Sequence, residues 1–417
     1  MKTLALALVA LLLSCRIATA AVQEIVLLTR AKPDSPQRVV ADAFKELIER
    51  QAGASFTVLI DPAGLRSGES TAVDEVQTNT AQLAVLPASA FERFDPVVRV
   101  IAFPFLFRDE QQAAAILDGH LGRGILRDLE TIGCKGLAFA EGGFRQLSNN
   151  IRPVKTLDDL KDLKIRTPSL PADTALWLTL GANPTPRPWP IYAELEQGVI
   201  DGQESPLWLI EKYNLHTVQR HLSLTRHSYV AHIAVASLKW WNALSPTDQA
   251  LLQAAMTEAA TRQRLVQRDR DAVRLAWFAQ NGVTVEAHPD IETFRARTAK
   301  LKEMAFYREP RLQALLAKML ESAREPTQEQ ASTTLSPAPE ADAPPKQAND
   351  AATPDAGQPP PQKNTSRGPT ALELLDADGL QAPAEAANSA PSAPTPTPAP
   401  APNDAPAPQE HAEPAAN

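Results

Sequence analysis

Seven short runs of apolar and β-branched residues, at 25–28, 56–60, 83–86, 136–140, 163–166, 230–236 and 283–286, alternate with longer stretches of helical spacing. Short strands that alternate with helices build an α/β architecture, because each helix covers a face of the sheet that its flanking strands join. The first helical stretch shows the local logic. Ser35 stands as its cap, and Pro36 sits in the first turn, where an N–H has no intrahelical partner to lose. Val40, Phe44, Leu47 and Ile48 follow at spacings that place them on one face, and Gly53 is positioned to end the helix. Further on, Thr156 and Asp159 form a capping pair before the 163–166 strand, Ser169 stands as a cap after it, and Gly181 and Gly198 occupy helix C-terminal positions. From Ser245 to Asn281 the sequence is helical throughout, opened by Ser245-Pro246-Thr247-Asp248 and closed by Asn281-Gly282. One helix of that length would run about 50 Å, more than a single lobe can bury, so it should cross two; a break into two helices is the alternative.

Composition sets the outer limits. The 44% hydrophobic content supports a substantial core, and a folded portion of about 300 residues divides more naturally into two domains than one. Residues 326–417 hold 20 of the 37 prolines and no aromatic residue, and they include a SAPSAPTPTPAPAP run. Such a segment cannot bury enough apolar surface to offset its ordering entropy, so a disordered Pro/Ala-rich tail of polyproline II character is expected, with ALELLDADGL at 371–380 its one stretch of helical apolar spacing. At the other end, Lys2, a Leu/Ala run and Ala18-Thr19-Ala20 read as a cleavable export signal over residues 1–20; Cys15 could instead accept a lipid. Cleavage after Ala20 would leave Cys134 as the only cysteine and no internal disulfide. A net charge of −8, with no basic stripe carrying interleaved aromatics, argues against nucleic acid as a partner.

The residues that carry chemistry lie between 142 and 206. LKIRTP reads as a buried strand that ends in Arg166 and is followed at once by a proline turn and a helix. In open α/β sheets ligands sit outside the carboxyl ends of strands, where the free amides of the next helix favour negative charge. A guanidinium there offers a planar fork matched to a carboxylate and stays charged at any relevant pH. The residues alone leave open an internal pairing of Arg166 with Asp158, Asp159 or Asp162. Trp189 could supply a flat apolar wall beside the charged anchor, or ordinary core. An enzyme lacks its usual signs: there is no GxSxG, no HExxH and no phosphate loop, GHLGRG at 119–124 reads as a helix boundary, and His216, His221, His227 and His232 show no metal-ligand spacing. No cofactor or metal is expected.

Several segments, in order, resemble the solute-binding subunit of tripartite ATP-independent periplasmic (TRAP) transporters, the DctP-like family. They are SGESTAVDEVQTNTAQLAVLPASAF at 67–91, AFPFLFRD at 102–109, GGFRQLSN at 142–149, RPVKTLDDLKDLKIRTP at 152–168, GANPTPRPW at 181–189 and GVIDGQE at 198–204. The likeness spans about 22–325. It implies a two-lobed periplasmic binding protein fold with a long helix bridging the lobes. Lobe I would comprise 21–143 with about 231–271, and lobe II 144–230 with about 272–325. It also implies that Arg166 pairs with the ligand carboxylate, that Arg145 reaches the ligand or its water shell, and that Trp189, Gln203, Glu204 and Ser205 line or support the site. Two positions depart from the family pattern. Ser205 stands where relatives commonly carry an asparagine, and PWPIYAE is one residue short before Ile191-Tyr192.

The function implied is capture of a small organic carboxylate in the periplasm and delivery to the small and large membrane subunits of a TRAP permease, with no catalysis. The alternative is a secreted sensing or scaffold protein that acts through its proline-rich tail.

Overall fold

The computed structural model describes residues 22–29, 34–51, 55–61 and 69–324. The export signal, Gly53 and the proline-rich tail, expectations of the sequence, lie outside the described residues. Within them the chain forms one mixed nine-stranded sheet flanked by helices.

The first half is a parallel wind. Strand β1 (Gln23–Leu28) pairs in parallel with β2 (Phe56–Asp61) on one side and β3 (Leu83–Pro87) on the other. Helix α1 (Pro36–Gln51) crosses between β1 and β2, and α2 (Glu69–Thr78) precedes β3. The amphipathic face read from the sequence is the face that packs: Val40, Phe44, Leu47 and Ile48 are all buried. Two further helices, α3 (Glu110–Asp118) and α4 (His120–Asp128), meet at Gly119 and lead into β4 (Cys134–Asn149).

A second parallel set follows. Strands β5 (Lys164–Thr167) and β6 (Asn183–Pro186) are parallel, joined by helix α5 (Pro171–Leu180). The short helix α6 (Tyr192–Glu196) precedes β7 (Gly202–Pro206), which pairs in parallel with β5 and runs into α7 (Leu207–Lys212). Ser169 does not cap α5: Leu170 holds the cap position, and its apolar side chain offers no acceptor to the first-turn amides.

The long strand β8 (His221–Ser237) lies antiparallel to β3 and to β4, and its first residues pair with β9 (Thr284–Glu286). The sheet order is β2-β1-β3-β8-β4-β7-β5-β6. The central pair β4 and β8 therefore belongs to both halves. Its pairing register shifts at three places, one of them between Glu141 and Gly143. Two glycines fit this bulge for different reasons. A Cβ on Gly142 would lie 2.7 Å from Val230 Cγ1, and Gly143 has φ of +88°.

Helix α8 (Leu238–Ala243) leads to α9 (Pro246–Gln280), a single unbroken helix of 35 residues with Ser245 Oγ accepting from Asp248 N. Its first half packs Leu252, Ala255, Met256, Ala259 and Ala260 against β1, β3 and α1; its far end places Phe278 in a separate apolar cluster with Ile191, Leu195, Ile200 and Leu207. Between these clusters the contacts turn polar. Gln263, fully buried, accepts from Glu141 N at 2.9 Å and donates to Glu141 O at 2.7 Å. The opposite face of the sheet carries a third cluster, continuous from Leu28 and Val76 to Trp177, completed by helices α10 (Ile291–Thr298) and α11 (Pro310–Ser322) through Phe294, Leu312 and Leu316. The long helix thus bridges two lobes that share one sheet.

Candidate functional site

Arg166 sits where a parallel strand ends against a helix. Its strand is flanked by β6 and β7, which leaves its backbone fully paired and its side chain 4% exposed. Nε donates to the carbonyl of Arg187 at 2.8 Å, and the guanidinium carbon lies 5.1 Å from the centre of the Trp189 ring. Trp189 is itself held by stacking on Tyr213, with centroids 4.8 Å apart. Among the described residues no carboxylate or carbonyl reaches the two Nη groups of Arg166. Burial lowers its pKa from the ordinary value, with nearby Glu204 opposing, but a guanidinium remains charged regardless. This leaves a desolvated cationic fork, oriented by one backbone bond, with two donor groups open to an anionic partner.

Arg145, on β4, is built differently. Its Nε and Nη2 grip the carboxylate of Glu204 on β7, Nη2 at 2.9 Å from Oε1, and Nη2 also donates to the Glu204 carbonyl at 2.8 Å. Glu204 is 2% exposed and receives a further bond from His227 Nε2 at 3.1 Å. Burial alone would raise this carboxyl; the charge of Arg145 and the bonds from His227 and Arg145 outweigh burial and hold it at about 2. An ionised Glu204 can only accept, so His227 carries its proton on Nε2, while Nδ1 accepts from Thr225 Oγ1 at 2.8 Å. Burial lowers the pKa of His227, which favours this neutral form.

The arginines line one cavity of about 440 Å³, bordered by Trp189 and Ser205 on one side of the chain and by Glu92, Arg99 and Pro87 from its first half. Glu92 and Arg99 neutralise each other at 2.8 Å. Four of the six residues singled out from sequence, Arg145, Arg166, Trp189 and Ser205, line this cavity. Gln203 and Glu204 stand behind it. Gln203 is fully buried, donating to Ser148 Oγ at 2.8 Å and accepting from Ser205 Oγ at 2.6 Å, and Glu204 is committed to Arg145 and His227. Asp201, the aspartate of GVIDGQE, accepts from Lys164 N at 2.8 Å and so fixes the start of β5. None of Asp158, Asp159 and Asp162 pairs with Arg166; Asp159 accepts from the backbone of Thr156 and Lys155 instead.

Two residues of the site carry no sequence signal strong enough to find them. His227 was one of a loose group of histidines, and Asp173 was an acid in the first turn of a helix, where acids are common for dipole reasons alone. Among the described residues no group of His, Cys, Asp and Glu could hold a metal ion, and no helix is long and apolar enough to cross a membrane.

Comparison with known proteins agrees with this geometry. Residues 28–309 match the bacterial extracellular solute-binding protein family 7, DctP. The 2,3-diketo-L-gulonate-binding periplasmic protein of Escherichia coli is 33% identical over 260 residues, covering 62% of this chain and 79% of that protein. A TRAP periplasmic solute-binding protein from Ochrobactrum anthropi, solved with its C-terminus in the ligand-binding pocket, superposes with a TM-score of 0.70 at 31% identity, over 76% of this chain and 99% of that one. Another, from Polaromonas and bound to D-erythronate, superposes with a TM-score of 0.62 at 30% identity, over 71% and 98%. With the family match spanning both lobes and the cavity between them, the chain belongs to the DctP family of bacterial extracellular solute-binding proteins.

Proposed function

We propose that this protein is a periplasmic receptor that captures a small organic carboxylate and delivers it to the membrane subunits of a TRAP permease. The observation that carries the reading is the buried Arg166 guanidinium with two donors unmet. Arg166 lines the cavity, and a carboxylate there would fill its donors through parallel charge-assisted bonds, beside Trp189 and Arg145. Glu204 cancels the charge of Arg145, so the lobe II wall offers one strong anion site and not two. Lobe I, 21–143 with about 231–271, would close onto lobe II, 144–230 with about 272–325, about the glycine bulge of β4, with the ligand favouring the closed state through contacts only that state makes. This set of donors and walls supports capture and release of an anion.

A thermal-shift panel of C4-dicarboxylates, 2-oxo acids, hydroxy acids, aromatic acids and sugar acids tests the reading. At thousandfold excess over its dissociation constant a true ligand adds about 4 kcal/mol, which raises the midpoint by roughly 8 °C or more. A response confined to acids, absent for their amides, is expected. Silence across every acid class contradicts the receptor reading.

A further inference from the structure

Asp173 has no part in the reading so far, yet it lines the same cavity as Arg166 and Arg145. It lies in the first turn of α5, partly buried, and no donor among the described residues lies within hydrogen-bonding reach of its carboxyl. Charged groups from several elements act on it, Glu204 from β7, Arg145 from β4, Arg166 from β5 and Glu92 after β3, and it acts in turn on Tyr307 from the segment before α11. The cavity therefore presents an unpaired cation and an unpaired carboxyl to the same guest.

Resting on the receptor reading above, we propose that Asp173 sets which acids the site accepts, by pairing with a hydroxyl of the guest whose carboxylate sits on Arg166, so that hydroxy monocarboxylates enter and dicarboxylates are refused. A ligand hydroxyl can donate to an ionised Asp173 or accept from a protonated one, so it satisfies the carboxyl in either state. A second ligand carboxylate can only accept, so it matches a protonated Asp173 and is repelled by the ionised form. It would meet the Asp173 charge with Glu204 and Glu92 close behind, in a place where burial, ahead of the repulsion from Glu204, already pushes the Asp173 carboxyl up to about 7 despite the pull of the two arginines. Refusal by an unmatched buried polar group is a strong filter, stronger than the loss of one contact.

Three four-carbon acids separate the effects by calorimetry on the purified full chain: D-erythronate with hydroxyls, butyrate with none, and succinate with a second carboxylate; D-galacturonate extends the series to a larger hydroxy acid. The wild type is expected to hold the hydroxy acids at least about tenfold tighter than butyrate or succinate. Asp173→Ala should bring them down to the level of butyrate while butyrate moves by less than about twofold. Asp173→Asn, which keeps the shape and removes the charge, should strengthen succinate by about tenfold at pH 8 and flatten its pH dependence. In the wild type succinate should weaken as pH rises from about 6 to about 8, because its binding needs the protonated carboxyl. Hydroxy-acid affinity unchanged in Asp173→Ala, or succinate unchanged in Asp173→Asn, overturns the proposal. Arg166→Ala should weaken all these acids together; if it does not, the anchor reading falls whatever Asp173 does. A wild type that binds none of them contradicts both.

Discussion

Arg145 and Arg166, 21 residues apart in the sequence, look alike on paper and differ in kind in the fold. Arg145 is neutralised, its guanidinium closed on Glu204 with His227 behind, whereas Arg166 has one bond to a carbonyl and two open donors. From this follow opposite responses to substitution. Arg166→Met should leave the ligand-free protein as stable as the wild type or slightly more so, since it removes an unpaired buried charge, as urea unfolding would show. Glu204→Gln should destabilise by about 3 kcal/mol or more, because Arg145 is then buried without its counter-charge. The pH dependence has a definite sign. Glu204 titrates near 2 when folded, below the ordinary carboxylate range of about 4.3, so its stabilisation is complete above about pH 4.3 and fades as pH falls toward 2. The wild type should lose stability over that window, and Glu204→Gln should lose less of it. Arg166 was legible from LKIRTP because a strand end before a proline turn is a local pattern. The surroundings of His227 and Asp173 were not, since both depend on Glu204, 23 and 31 residues away, which only the folded sheet brings near.

At the scale of elements, the cap signals of α9 and the apolar face of α1 were readable because both are set within a few residues. The full lengths of β4 and β8 were not. Each was expected as a run of apolar residues in its lobe I part, and each continues into lobe II through Gln146, Ser148, Asn149 and Ser223, polar residues that are buried. Burial there is sustained by hydrogen bonds to side chains, such as Ser148 Oγ donating to Gln219 Oε1 at 3.1 Å and Val154 N donating to Ser223 Oγ at 2.9 Å, and hydrophobic periodicity cannot report it. Strand β7, GQESP, was likewise hidden, since its polar residues form the network under Arg166. The polar waist of α9 gives a prediction of its own. Gln263→Leu should cost about 2–4 kcal/mol in urea unfolding, because the backbone N–H and C=O of Glu141 lose both partners in a buried place. A cost below 0.5 kcal/mol would show that the bulge does not depend on this bracket.

For the whole molecule, two lobes on a shared sheet, joined through the central strands and one helix, make a receptor whose cavity lies at the place where the halves meet. Closure should bring the Glu92 and Arg99 side toward Arg166, so small-angle scattering should show a fall in radius of gyration on saturation with the acid that gives the largest thermal shift. An unchanged radius would contradict the hinge. The central claim, that Arg166 is the carboxylate anchor, is tested most directly by calorimetry of that acid against the wild type and Arg166→Ala. Truncating one side of a buried charge pair costs about 2–5 kcal/mol, so affinity should fall by roughly thirtyfold to several thousandfold. Affinity in Arg166→Ala within about threefold of the wild type would contradict the account, since a difference of that size is under 1 kcal/mol and no buried ion pair is worth so little when broken.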